Sequence, residues 1–183
     1  MKIHKGNTIA LMIDIQAKLF PLVAEPERLF KRSTILIEGL RIFGIPLIVT
    51  QQYSKGLGET IDDLRSLIKS FSPIDKLSFS CCTEPDVMNR ISGDAIENAI
   101  IFGIEAHVCV LQTVLDLLDE GYQPIVVEDC VSSREPNDKQ IAIARMRHEG
   151  AVVTTYESLL FEICEIAGTD RFKALSRLIK DHA

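Results

Sequence analysis

Apolar residues along this chain come in two forms that alternate. Short continuous runs such as Thr8–Ile15, Leu47–Thr50 and Asn98–Gly103 lack polar alternation, the signature of strands buried on both faces. Between them lie longer stretches whose apolar positions recur at helical spacing. Glu25–Phe43 is the longest, closed by Gly44-Ile-Pro46. The pattern then predicts a glycine-bearing loop over Gln51–Glu59, a short helix near Thr60–Lys69, and an extended piece within Pro73–Phe79. Glu84–Ser92 reads as a helix with Pro85 in its first turn. After the strand at 98–103 come a helix over 106–120, a strand at Pro124–Glu128, a helix at Pro136–Glu149 and a strand at Ala151–Thr154. Helices starting near Glu157 and Arg171 finish the chain. In the 106–120 helix the apolar stripe is Val108, Leu111, Leu115 and Leu118, and Gly121 is the stop.

Strands alternating with amphipathic helices imply an α/β fold, a parallel sheet covered on both faces. In such folds the working residues gather at the carboxyl ends of strands, where strand order reverses. No internal repeat, low-complexity tract or linker interrupts the pattern, so residues 1–183 are expected to form a single domain.

Composition narrows the function classes. With 46% apolar residues the chain can bury a sizeable core, and no apolar run approaches the ~18–20 residues needed to span a bilayer. The first apolar run contains Asp14 and lacks a small-residue cleavage pattern, so it reads as a strand and not a signal peptide. The expected location is the cytoplasm. A net charge of −6 with both signs interspersed gives no phosphate-binding stripe, which points away from nucleic acid. Five cysteines without a C-x-x-C pattern, two of them adjacent at Cys81-Cys82, suit free thiols in a reducing compartment.

Candidate chemistry begins with Cys109, in the first turn of the helix that follows strand 98–103. A thiol there meets the positive end of the helix dipole and unpaired backbone N–H groups, which lowers its pKa and supplies donors for an oxyanion. The plainer reading is a small buried residue. Asp14 closes the first strand, where an unpaired carboxylate is costly. A partly desolvated carboxylate at such a strand end is suited to general-base work, and a helix cap or surface role is the alternative. Lys76 alone reads as a surface lysine. Its flanks Ile74, Leu77 and Phe79 bring the chain near the core, where the amine can offset a carboxylate and a thiolate together.

His107 is two positions from Cys109, and on a helix such side chains diverge. It reads as a pocket-rim or interface residue rather than the thiol's base. His4 and His182 are terminal, and His148 suits a helix C-terminus. Gln51-Gln52-Tyr53 offers no metal-ligand set, and Lys55-Gly-Leu-Gly58 lacks both phosphate-loop arrangements, so neither a metal nor another cofactor is expected.

The segments ALMIDIQ (10–16), GIPLIVTQQYSKGLGET (44–60), DKLSFSC (75–81), IIFGIEAHVCVLQTVLDLLDEGY (100–122), VVEDCVSSR (126–134) and RMRHEGAVVTTYESLLFEI (145–163) carry a resemblance over nearly the whole chain. It is to the isochorismatase-like cysteine hydrolases, nearest the isochorismatase domain-containing subgroup. The resemblance implies a three-layer α-β-α, Rossmann-like fold with a six-stranded, mostly parallel sheet. It implies a catalytic triad of Asp14, Lys76 and Cys109. A cis peptide is implied at Ile104–Glu105, with an oxyanion hole from the backbone N–H groups of Glu105 and Cys109. Nicotinamidases of this superfamily hold a metal with Asp and His after strand two, where this chain has Gln51-Gln52-Tyr53. Isochorismate-cleaving enzymes lack a cysteine at the nucleophile position, so Cys109 argues against enol-ether hydrolysis. Cys130 falls where relatives have a small residue and reads as packing.

The expected activity is cleavage of a small amide-type C–N bond. The pocket is drawn on position from Gln16, Phe20, Gln52, Tyr53, Phe79, His107 and Val108. The partners expected are a small-molecule substrate and further copies of the chain in a homo-oligomer, with neither membrane nor nucleic acid. Two other readings stand beside it: a non-catalytic binding or scaffold protein with an idle triad, and a thiol redox protein in which Cys81 or Cys82 approaches Cys109.

Overall fold

In a computed structural model that describes residues 2–92 and 95–182, six strands form one sheet in the order β3-β2-β1-β4-β5-β6. The strands are β1 (Thr8–Ile13), β2 (Leu47–Gln52), β3 (Ile74–Lys76), β4 (Asn98–Ile104), β5 (Gln123–Ser132) and β6 (Val152–Thr154). Every neighbouring pair is parallel. From β1 the chain winds outward through β2 to β3, then returns to β4 on β1's other side and winds the opposite way. The reversal therefore falls between β1 and β4.

All six residues of β1 and all seven of β4 are buried, as their unbroken apolar runs require. Alternate residues still serve opposite faces. Ala10 and Met12 join a core with helices α1 (Pro26–Phe43), α7 (Tyr156–Cys164) and α8 (Asp170–Asp181). Ile9, Leu11 and Ile13 join a second core with α4 (Pro85–Ile91), α5 (Leu111–Asp119) and α6 (Pro136–Glu149). Short helices α2 (Ser54–Leu57) and α3 (Asp62–Leu67) cross between β2 and β3. Gly103 pairs with Ile13 at the reversal with φ of 126°, and a Cβ there would collide with the Ile13 backbone.

Four local expectations need correction. Strand β1 stops at Ile13, because Asp14 turns into the left-handed region at φ 53°. Strand β2 runs on to Gln52, pairing Gln51 and Gln52 with Asp75 and Lys76, so the 51–59 stretch is part strand and part helix α2. Strand β5 continues to Ser132. Its pairing with β4 jumps from Ile101–Val126 to Gly103–Val131, so the chain bulges at Glu128-Asp129, and those two charges masked the continuation. The first turn of the helix that carries Cys109 is π-helical over Ala106–Val110. Its fully buried line with α5 is Val110, Val114 and Leu117. Val108, Leu111, Leu115 and Leu118 lie at the margin.

Candidate active site

Asp14 leaves β1 with its side chain wholly buried. Lys76 ends β3, two strands away, and Cys109 lies in the π-turn after β4. The reversal of strand order brings the three together. The Lys76 ammonium is 2.7 Å from Asp14 Oδ2, with both side chains sealed from solvent. It also donates to Gln52 Oε1 (2.8 Å) and to the carbonyls of Phe79 (3.0 Å) and Ser78 (3.1 Å). Burial alone would lower the lysine pKa. The Asp14 carboxylate, joined by Cys81 and Cys109, reverses that and holds it above its ordinary value. An unpaired lysine here would cost several kcal/mol, roughly, so the cage of acceptors explains how a charge persists in the core.

Asp14 Oδ1 accepts from Thr50 Oγ1 at 2.8 Å. The Cys109 thiol is buried, and burial followed by the facing Asp14 carboxylate pushes its pKa well up, against the opposing pull of Lys76. This corrects the expectation of a lowered thiol pKa. A helix start acts through exposed N–H groups and positive charge, whereas this one faces a carboxylate inside the protein. The resting group is therefore the neutral thiol beside an anionic acceptor. In the π-turn, the Glu105 carbonyl accepts from the N–H groups of Val108 and Val110, passing over that of Cys109 between them. The Ile104–Glu105 peptide is cis. The Glu105 carboxylate is held by the backbone N–H and Nε of Arg134, at 3.3 and 2.8 Å.

The residues drawn as a pocket do not form one surface. Gln16 is wholly buried and spends its amide on the backbone, donating to the Gln52 and Gly58 carbonyls and accepting from Gln52 N–H. Gln52 fixes Lys76 and donates to the Leu77 carbonyl at 2.7 Å. Phe20 lines a separate hollow with Ala17, Pro21, Phe30 and Ile61. Tyr53 and Phe79 are exposed, and Phe79 contributes only its carbonyl to the lysine cage. His107 and Val108 are half-buried. His107 Nδ1 meets Ser133 Oγ at 2.9 Å and Nε2 lies 3.7 Å from Asp138, so the imidazole is tied to the α6 side. Thr50, Thr113 and Arg134 were missed. Only Thr50 carried a usable signal: it lies at the carboxyl end of the strand expected beside Asp14.

A cleft of about 470 Å³ opens elsewhere, between the start of α1, the β5 bulge and the start of α6. Arg28, Arg32, Glu128, Asp129 and Lys139 line it, and none of the three central residues does. Among the described residues no group of three or more His, Cys, Asp or Glu converges as a metal site. No described helix is long and apolar enough to cross a membrane.

A family profile described as the isochorismatase domain matches residues 8–158. The chain belongs to the isochorismatase family. Isochorismatase family protein 1B of Dictyostelium discoideum is 36% identical over 180 residues, covering 95% of this chain and 87% of the relative. The secreted isochorismatase effector Isc1 of Phytophthora sojae is 32% identical, covering 96% and 86%. Among solved structures, the MAR1 ribonuclease of Caenorhabditis elegans superposes with a TM-score of 0.92 at 37% identity, covering 98% of this chain and 93% of that one. The six-stranded α/β sheet is thus the isochorismatase-family hydrolase fold. Because one relative carries "secreted" in its name, membership of the family does not fix a cellular location.

Proposed function

We propose that this isochorismatase-family protein is a cysteine hydrolase that cleaves a small amide-type C–N bond through an acyl-thioester. The observation that carries the reading is the sealed Lys76–Asp14 pair facing a neutral, buried Cys109 thiol. Asp14 takes the thiol proton as sulfur attacks the carbonyl carbon, and Lys76 offsets the charge passing between carboxylate and sulfur. The backbone N–H groups of Glu105 and Cys109 hold the tetrahedral oxyanion, donors worth roughly 2.7–4 kcal/mol each at other acyl-transfer sites. Collapse breaks the C–N bond, and the amine leaves with the proton Asp14 had taken. Asp14 then removes a proton from water, which attacks the thioester and returns the thiol and a carboxylic acid. A thiol that is neutral at rest suits this sequence, since the proton moves only as the bond forms.

The test follows ammonia release from a panel of small aliphatic and aromatic primary amides. Cys109→Ala is expected to abolish turnover while the fold persists, and the native protein to show a Cys109-linked acyl adduct by mass spectrometry. Undiminished turnover by the alanine variant, or none by the native protein, would sink the reading. The second outcome would favour a binding protein with an idle triad, a reading supported by how little of Cys109 reaches solvent, 6%. The name of the C. elegans relative puts RNA among the substrates to test. Net charge −6 with mixed signs favours a small substrate here.

Self-association belongs to the same proposal. Tyr53, Leu77 and Phe79 are exposed large apolar side chains on the loops flanking Lys76. Sedimentation velocity is expected to give an oligomer at micromolar concentration; a monomer there would remove this part.

A further inference from the structure

Cys81 is fully buried and takes no part in the chemistry above, yet two short polar chains meet at it. Its sulfur lies 3.7 Å from Thr50 Oγ1, and that hydroxyl donates to Asp14 Oδ1 at 2.8 Å. Its backbone N–H donates to Thr113 Oγ1 at 3.0 Å, and that hydroxyl donates to the Cys109 carbonyl at 2.7 Å. Both threonines are wholly buried, so no water competes for these bonds. Asp14, Thr50, Cys81, Thr113 and Cys109 thus form one continuous run, joining residues from the ends of β1 and β2, the loop after β3, and the helix after β4.

The donor sense of each hydroxyl is fixed. An ionised carboxylate only accepts, so the Thr50 proton points at Asp14. Thr113 has a backbone N–H on one side and a carbonyl on the other, so it must accept from Cys81 and donate to Cys109. Lys76 occupies Oδ2 of Asp14 and Thr50 occupies Oδ1, so the rotation of the carboxylate is set from both oxygens. The π-turn carrying Cys109 is tied to the Cys81 loop through the Thr113 hydroxyl.

We infer that Thr50 and Thr113 are positioning residues that together set the direction and separation of the Asp14 carboxylate and the Cys109 thiol, with Cys81 as the point where they meet. This deepens the cysteine-hydrolase reading and rests on it for its catalytic meaning. The two threonines have separable effects. Thr50 stabilises the charged form of the base, so its loss makes the carboxylate protonate at higher pH. Thr113 touches no ionisable oxygen, and its loss displaces the thiol without changing the base.

The experiment measures the rate of Cys109 alkylation by iodoacetamide from pH 4 to 9, with peptide mapping to separate it from the other four cysteines. Because the probe is a general electrophile, it does not depend on the substrate. The native protein is expected to show a base-assisted plateau with an acid limb. Thr50→Val should move that limb to higher pH, and Thr50→Ser should restore it. Thr113→Val should lower the plateau, by up to about 10²-fold for a misplacement near 1 Å, with the limb unmoved, and Thr113→Ser should recover it. If a valine variant fails to fold by circular dichroism, alanine at the same position carries the test. An unmoved limb in Thr50→Val, or a native plateau in Thr113→Val, would overturn the inference. A native protein whose Cys109 alkylates with no acid limb would overturn it together with the base role of Asp14. The predicted variant pattern with no turnover of any amide would leave the bracket standing and remove the hydrolase reading alone.

Discussion

The Lys76–Asp14 pair and the Arg28–Glu25 pair have similar geometry, 2.7 and 3.0 Å between nitrogen and oxygen. Both side chains of the first are sealed from solvent, whereas those of the second are 54% and 67% exposed. The second lies in the open cleft beside α1, where Arg32 and Asp129 form another pair at 3.1 Å. Water screens the Arg28–Glu25 pair and would solvate either partner left alone. No water reaches Asp14 and Lys76, and each depends on the other and on a fixed set of protein donors and acceptors. The exposed Arg28–Glu25 pair at the cleft is therefore replaceable, and the sealed Lys76–Asp14 pair cannot be changed singly.

The sharpest way to break this comparison is to remove one partner from each region. Lys76→Ala leaves a buried carboxylate without its cation and is expected to cost about 3–5 kcal/mol in urea denaturation. Arg28→Ala is expected to cost no more than about 1 kcal/mol. Equal losses would mean that burial does not separate the two regions.

A smaller effect comes from pH. Burial holds the Cys81 thiol at about 11 and that of Cys130 well above its ordinary 9.0, and Lys76 is held above 10.5. Each binds its proton more tightly in the folded than in the unfolded chain. Their contribution to stability is whole below the unfolded values and is lost as pH rises through the folded ones. The denaturation midpoint is expected to fall progressively above pH 9.0, beginning with the thiols. In the cleft Lys139 has the opposite sign. Burial lowers its pKa, so its contribution grows as pH rises through the folded value. Lys139→Met should therefore steepen the alkaline decline slightly. A midpoint that stays flat to pH 11 would contradict the buried-thiol assignment.

Asp14 was legible because it closes an unbroken apolar run, and Cys109 because it opens the helix that follows another; such a run announces both a buried strand and the end where ligands gather. Lys76 was reached only through its apolar flanks and the family resemblance, since a lysine in a three-residue edge strand by itself looks like any surface lysine. What buries it is a cage of backbone carbonyls from Ser78 and Phe79, and carbonyls have no letter in the sequence. Gln16 and Gln52 lie near the centre with their amides bonded to backbone and to Lys76, and spacing does not reveal whether an amide faces a ligand or its own backbone. The expected lowering of the Cys109 pKa failed for a related reason. Helical spacing located the thiol in the first turn, but only the folded structure shows that the turn is buried and that it faces the Asp14 carboxylate.

The sheet order carries one more consequence, for how the protein is made. Asp14 and the Cys109 turn sit at the ends of neighbouring strands, yet seven intervening strands and helices (α1, β2, α2, α3, β3, α4 and β4) must be synthesised between them. No local segment can bring the carboxylate to the thiol, and the contact waits for β4 to insert beside β1, a long-range pairing that comes at the entropic cost of closing that loop. The growing chain therefore carries an ordinary thiol beside no base. Under the proposed cysteine-hydrolase reading, its chemistry switches on only with closure of the central strand pair, after β4 has been made.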